Sequence, residues 1–223
     1  MKKIRDKAFQ KIHGSIQTIQ KYSPCARHIR MEESADRKFI KNYVLSCIPY
    51  IKENPEILEF DGGVVYADLI INEKGGSVSY ATKVGRLNRN NPITYQFDLT
   101  KTVLDKKFDL IIATQVLGSF VDPLKIMRQF MDMLKPSGVL IVTVSGPAYP
   151  QIRGLISFYS KEGLTQIGRE VFKAKNVINI RSYGNLASAI CMLNYLSNEI
   201  TNNIDEDEDY NHEVINGILC VNS

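Results

Sequence analysis

Apolar positions along this chain follow two rhythms. Phe108 to Ala113 (FDLIIA) is an almost continuous apolar run, as expected of a strand covered on both faces of a parallel sheet. Val139 to Val144 is a second such run, rich in β-branched residues. Between them, Leu124, Met127, Met131 and Leu134 recur at helical spacing with Phe130 beside them, so one helix face is apolar. Asp122 and Pro123 suit the N-cap and first helical position, and Lys135-Pro136-Ser137-Gly138 stops the helix. Strand, helix, strand in this compass predicts a right-handed βαβ crossover. The carboxyl end of its first strand carries Thr114-Gln115-Val116-Leu117, the end at which open α/β sheets bind ligands.

The same alternation extends on both sides. Glu56 to Phe60 (EILEF) reads as a strand, Asp61-Gly62-Gly63 as a turn, and Val64 to Ile71 as a helix that Lys74-Gly75-Gly76 breaks. Ser77 to Ala81 is a short second strand, and Ile93 to Phe97, ending in Asp98, a third. Downstream, Ser145 to Pro150 forms a loop at a strand's carboxyl end, and Ser160 caps a helix reaching about Phe172. Val177 to Arg181 is a strand, Asn185 to Glu199 an apolar helix, and Val214 to Val221 a last strand that could run antiparallel at the sheet edge. Upstream, Ile4, Ala8, Ile12, Ile16 and Ile19 stripe a basic amphipathic helix, and Ala35 to Tyr50 predicts another. The chain is therefore expected to be α/β. Residues 51–223 would form a Rossmann-like, doubly wound sheet of about seven strands. Ile57–Phe60 and Leu110–Ala113 would lie side by side at its centre, and residues 1–50 would add an N-terminal helical extension or lid.

Composition narrows the function classes. The net charge of +4 over 223 residues lacks the dense basic stripe of a nucleic-acid binder. Four scattered cysteines, Cys25, Cys47, Cys191 and Cys220, show no metal spacing and read as thiols in a reducing compartment. No apolar run spans a membrane and the basic N-terminus has no apolar signal core, so a cytoplasmic location is expected. The acidic run Asp205 to Asp209 reads as a solvated loop, and no metal site is expected.

FDLIIATQVL followed by VDPLKIMRQFMDMLKPSGVLIVTV resembles the fourth and fifth strands of class I S-adenosylmethionine-dependent methyltransferases of the type 11 kind. ADRKFIKNYV, ILEFDGGVVYADLI, ITYQFDLT, FYSKEGL and RSYGNLASAICML are similar to a subgroup found with glycosyltransferases in surface-polysaccharide systems. The resemblance implies methyl transfer from S-adenosylmethionine to a sugar hydroxyl of a glycan or its precursor, with a glycosyltransferase as possible partner.

By the same resemblance, Glu59 and the Gly62-Gly63 turn would face the cofactor's methionine part, the acid near its ammonium. Asp98 would accept from the adenine amino group, and Thr114 and Gln115 would border the reacting methyl. The glycine repeat is interrupted at Asp61 and Val64, and SVSYATKV lacks the second-strand acid that grips the ribose in this family. The family's Glu-His pair after the fourth strand is replaced by Gly118-Ser119, so no general base comes from that position; the base is left open, with His28, in a loop before the second helix, readable either as that base or as a solvated or capping histidine. Tyr149, Phe158 and Tyr159 could stack a sugar ring. The alternative is a member with eroded motifs that keeps the fold and serves as a binding or scaffold subunit.

Overall fold

A computed structural model describes residues 35–60, 66–82, 93–147, 156–184 and 213–222. Its strands are β1 (Glu56–Phe60), β2 (Ser77–Thr82), β3 (Tyr95–Gln96), β4 (Phe108–Thr114), β5 (Leu134–Ser145), β6 (Val177–Tyr183) and β7 (Ile215–Val221). Its helices are α1 (Ala35–Cys47), α2 (Ala67–Lys74), α3 (Pro123–Asp132) and α4 (Lys161–Phe172). The expected helices at 1–21 and 185–199 lie outside the described residues.

All seven strands join one sheet in the order β3-β2-β1-β4-β5-β7-β6. β1 to β5 pair in parallel, and β7 runs antiparallel to both β5 and β6. The apolar runs dictate this centre. Every residue of β4 is buried, and Ile57, Leu58 and Glu59 of β1 align with Leu110, Ile111 and Ile112. One face of the sheet packs Phe60, Ile111, Leu140 and Ile218 with Phe130 of α3 and Leu164 of α4. The other packs Ile57, Ile112, Ile141 and Leu219 with Ile40, Tyr43 and Val44 of α1 and Ile70 of α2. The chain runs from β1 outward to β2 on one side and returns to β4 on the other, so the strand order switches between β1 and β4, the point whose carboxyl ends bind ligands in open α/β sheets.

Local chemistry sets the helix starts as expected. Asp122 accepts from the Lys125 N–H at 3.0 Å, and Ser160 Oγ from the Gly163 N–H at 3.1 Å. Several boundaries differ. The helix expected from Val64 begins at Ala67, where the Glu59 carboxylate receives its first N–H groups, and runs on to Lys74 before Gly75 turns the chain at φ 69°. The third strand keeps only Tyr95 and Gln96 in register with Ala81 and Thr82. Lys135 to Gly138 does not end α3, which stops at Asp132. It forms a bulge inside β5 between the Phe108–Leu134 and Leu110–Val139 pairs, with Ser137 at φ 61°.

The last strand is antiparallel but not at the edge: it lies between β5 and β6. Its residues Ile215 to Cys220 are all buried, which an edge could not provide. β6 is half exposed and bulged between Ile178 and Arg181, as suits an edge strand. α1 is seated through Gly217, where a Cβ would fall 2.5 Å from the Tyr43 ring. Tyr43 Oη then donates to the Asn179 carbonyl at 2.8 Å, tying α1 to the bulge of β6.

Candidate functional site

The candidate residues gather at the carboxyl end of the sheet. Glu59, next to last in β1, is buried, and its two oxygens accept from Tyr66 N (2.9 Å) and Ala67 N (3.1 Å). These N–H groups open α2, where the helix field favours a negative charge. Burial nevertheless pushes the carboxyl up to about 7, with Asp68 adding to the rise and the two N–H groups opposing it. Glu59 thus fixes the chain's entry into α2 from within. Gly62 and Gly63 fall between these anchors, outside the described residues. Burial raises the Tyr66 hydroxyl above its ordinary range, and the neighbouring Arg37 guanidinium opposes that rise.

Asp98 lies just past β3 and is partly exposed. It accepts from Thr100 Oγ1 (2.6 Å), Thr100 N (3.0 Å) and Lys101 Nζ (3.1 Å), an Asx turn that holds its carboxyl at about 2, chiefly through the Thr100 hydroxyl. The end of β2 is Ala81 and Thr82, both buried, so the last residues of the strand offer no carboxylate to a ribose; Lys83 lies outside the described residues.

Thr114 ends β4, buried and in register with Thr143 of β5. Gln115 follows with φ 59°, a left-handed backbone that a non-glycine residue adopts at a cost. Its N–H reaches the Thr143 carbonyl at 2.8 Å, and its side-chain Oε1 accepts from Ser145 Oγ at 2.5 Å. Its Nε2 is buried with no partner among the described residues, as is Thr143 Oγ1. Both lie at the switch point of the sheet, the place where open α/β sheets bind ligands.

Beside it lies a second polar group that sequence reasoning missed. Glu213, buried just before β7, accepts from Lys161 N (2.9 Å) and from Asn216 Nδ2 (2.8 Å), and Asn216 Nδ2 also donates to the Tyr159 carbonyl at 2.8 Å. This brace fixes the start of α4 and the segment leading to it. Phe158 and Tyr159 are half buried and pack against the two cores, one on each face. Ser145 was legible as a residue at a strand's carboxyl end; Glu213 and Asn216, which meet Lys161 and Tyr159 only through the fold, carried no local signal. His28, Tyr149 and the acidic run lie outside the described residues. Among the described residues no cluster of His, Cys, Asp or Glu could hold a metal ion.

A family model described as a methyltransferase domain matches residues 25–171. The chain belongs to this family, and its fold is that of the class I S-adenosylmethionine-dependent methyltransferases. Among solved structures, it resembles the candidate methyltransferase of Haloferax volcanii, crystallised with the Trm112 methyltransferase activator, at 15% identity and TM-score 0.57 over 91% of this chain and 96% of that one. A SAM-dependent methyltransferase from Archaeoglobus fulgidus is similar at 13% identity and TM-score 0.55, over 83% of this chain and 94% of that one. Phosphoethanolamine N-methyltransferase 2 of Haemonchus contortus, solved with S-adenosyl-L-methionine, matches at 14% identity and TM-score 0.52, over 82% of this chain and 52% of that one. No curated protein matches the sequence.

Proposed function

We propose that the protein transfers the methyl group of S-adenosylmethionine to a sugar hydroxyl of a glycan or glycan precursor. The observation that carries methyl transfer is the switch point between β1 and β4, where a strained Gln115 keeps a buried amide nitrogen without a partner among the described residues. The residues that would meet the cofactor's methionine end are Glu59, the Gly62-Gly63 pair that follows it in the sequence, and Thr114 and Gln115 at the end of β4. Asp98 would meet the adenine amino group with lone pairs left over from its turn. S-adenosylmethionine supplies an electrophilic methyl carbon on a sulfonium. The chain's own share is to hold the acceptor oxygen in line with that carbon while the carbon–sulfur bond breaks, and to take the hydroxyl proton, for which His28 is the candidate base.

The sugar acceptor rests on the short motifs shared with the polysaccharide-associated subgroup, and a glycosyltransferase partner and cytoplasmic location belong to the same proposal. Residues 1–50 would act as extension and lid over a domain of 51–223. A scaffold reading is favoured by one observation, the missing carboxylate at the end of β2. The test is incubation with methyl-labelled S-adenosylmethionine and a panel of nucleotide sugars and oligosaccharides. Label recovered as an O-methyl sugar after acid hydrolysis supports the proposal. Label on nitrogen overturns the acceptor, and no binding of S-adenosylhomocysteine by folded protein overturns the enzyme in favour of the scaffold.

A further inference from the structure

We infer that Gln115 is the residue that grips the carboxylate of the cofactor's methionine part, with Ser145 behind it as positioning residue; the inference rests on the methyltransferase reading above. The carboxamide has two ends. Its carbonyl is occupied by the Ser145 hydroxyl at 2.5 Å, which fixes the side chain and turns the amide nitrogen away from β5. That nitrogen carries two N–H donors, is buried, and meets no acceptor among the described residues. A buried unmatched donor is costly, and it sits on a residue held at φ 59°. Two costs at one position, at the switch point of the sheet, are accounted for together if a ligand oxygen completes the amide.

The chemistry of that oxygen follows from the surroundings. At the end of β1, both oxygens of Glu59 are taken by the Tyr66 and Ala67 N–H groups, so the start of α2 has these two donors already spent within the chain. The N–H pair left over at this end of the sheet is that of Gln115, and a zwitterion bound here would turn its carboxylate toward β4. A pair of N–H donors with no charge of its own binds a carboxylate well, because hydrogen bonds to a charged acceptor are the strong ones.

The test is calorimetric titration of wild type, Gln115→Gly and Gln115→Glu with S-adenosylhomocysteine and with decarboxylated S-adenosylhomocysteine, which lacks only the carboxylate. Glycine accepts the left-handed backbone without strain, so Gln115→Gly should stay folded, which its urea midpoint checks. It should bind S-adenosylhomocysteine about 10- to 100-fold more weakly, and the decarboxylated analogue as wild type does. Gln115→Glu should lose S-adenosylhomocysteine and keep the analogue. Loss of affinity confined to the ligand that carries the carboxylate is a result that a merely structural residue does not give. The inference is overturned if either variant weakens both ligands alike, or if Gln115→Glu binds S-adenosylhomocysteine as well as wild type. Wild type that binds neither ligand would overturn the methyltransferase reading itself, a result distinct from both.

Discussion

The two ends of the central strands treat their polar groups in opposite ways. At the amino end, Asp109 of β4 accepts from the Glu56 N–H of β1 at 3.0 Å and pairs with Lys52 at 2.7 Å and Lys135 at 3.1 Å. Lys135, in the bulge of β5, also pairs with Glu56, and Lys106 reaches Glu56 while lying 5.4 Å from the Phe108 ring centre. Three strands are thus stitched by groups that answer one another. At the carboxyl end, the same three strands carry or lead into a buried Glu59 with no salt bridge among the described residues, a left-handed Gln115, and polar atoms on Gln115 and Thr143 that meet no partner among those residues. The apolar middle is continuous between them, so burial alone does not explain the contrast. Polar groups satisfied within the chain hold the fold; those unmatched at a strand's carboxyl end are the ones the proposed function assigns to a ligand.

The contrast can be broken first by pH. Burial raises the Glu59 carboxyl from 4.5 to about 7. The folded state therefore binds this proton more tightly than the unfolded chain does. Its stabilising contribution is complete below the unfolded value and is lost as pH rises through about 7, a change of about 3 kcal/mol. At the other end, burial alone would raise the Asp109 carboxyl, but Lys52, the Glu56 N–H and Lys135 together hold it below the usual range. Its contribution is present above the unfolded value and is lost as pH falls through the folded one. The two ends should give opposite slopes. Urea midpoints followed across this range should decline on the alkaline side in wild type and much less in Glu59→Gln; equal slopes in both would remove Glu59 from the account.

A smaller effect separates the ends by substitution. Asp109→Ala leaves the Glu56 N–H and the Lys135 ammonium short of a partner. Since Lys52 and Lys135 both reach solvent, the loss should be about 2 kcal/mol rather than that of a fully buried pair. Denaturant titration measures it. Binding of S-adenosylhomocysteine by the folded variant should be unchanged, and a shift there would mean that the amino end reaches the site.

Legibility followed the range of the interactions. β1, β4 and the caps of α3 and α4 were readable because Ile57–Phe60, Leu110–Ala113, Asp122 and Ser160 declare themselves within a few residues. Glu59, Thr114 and Gln115 were placed at strand carboxyl ends by the sequence pattern, and that is where the fold holds them. The position of β7 was not, since it depends on pairing Val139 to Ser145 with Val221 to Ile215 across the fold. The bulge of β5 was read as a helix stop because Lys135, Pro136 and Gly138 break both kinds of element. The Glu213–Asn216 brace was hidden because Glu213 meets Lys161 from 52 residues away. The missing carboxylate after β2 was readable, and it yields an intermediate effect. Thr82 is buried inside the strand, so Lys83 is the better place to restore it. Lys83→Asp should tighten S-adenosylhomocysteine by about tenfold in calorimetry; no change would separate this site from the family's ribose clasp.

The finest distinction lies within the carboxyl end itself, between the group that would touch a ligand and the group that aims it. Ser145 is buried, and its hydroxyl meets the Gln115 carbonyl across 30 residues of chain. Ser145→Ala removes that donor but leaves both N–H groups of the amide in place. The carboxamide would then be free to rotate between competing orientations, so affinity should fall by only about three- to fivefold, roughly 1 kcal/mol or less. The decisive quantity is the coupling. If Ser145 acts only through Gln115, Ser145→Ala should weaken S-adenosylhomocysteine in the wild-type background and have no effect in the Gln115→Gly background. Calorimetry on the four proteins of this cycle gives the coupling directly. Additive losses would show that Ser145 reaches the ligand by a route of its own, and the amide would then not be what the hydroxyl is there to hold.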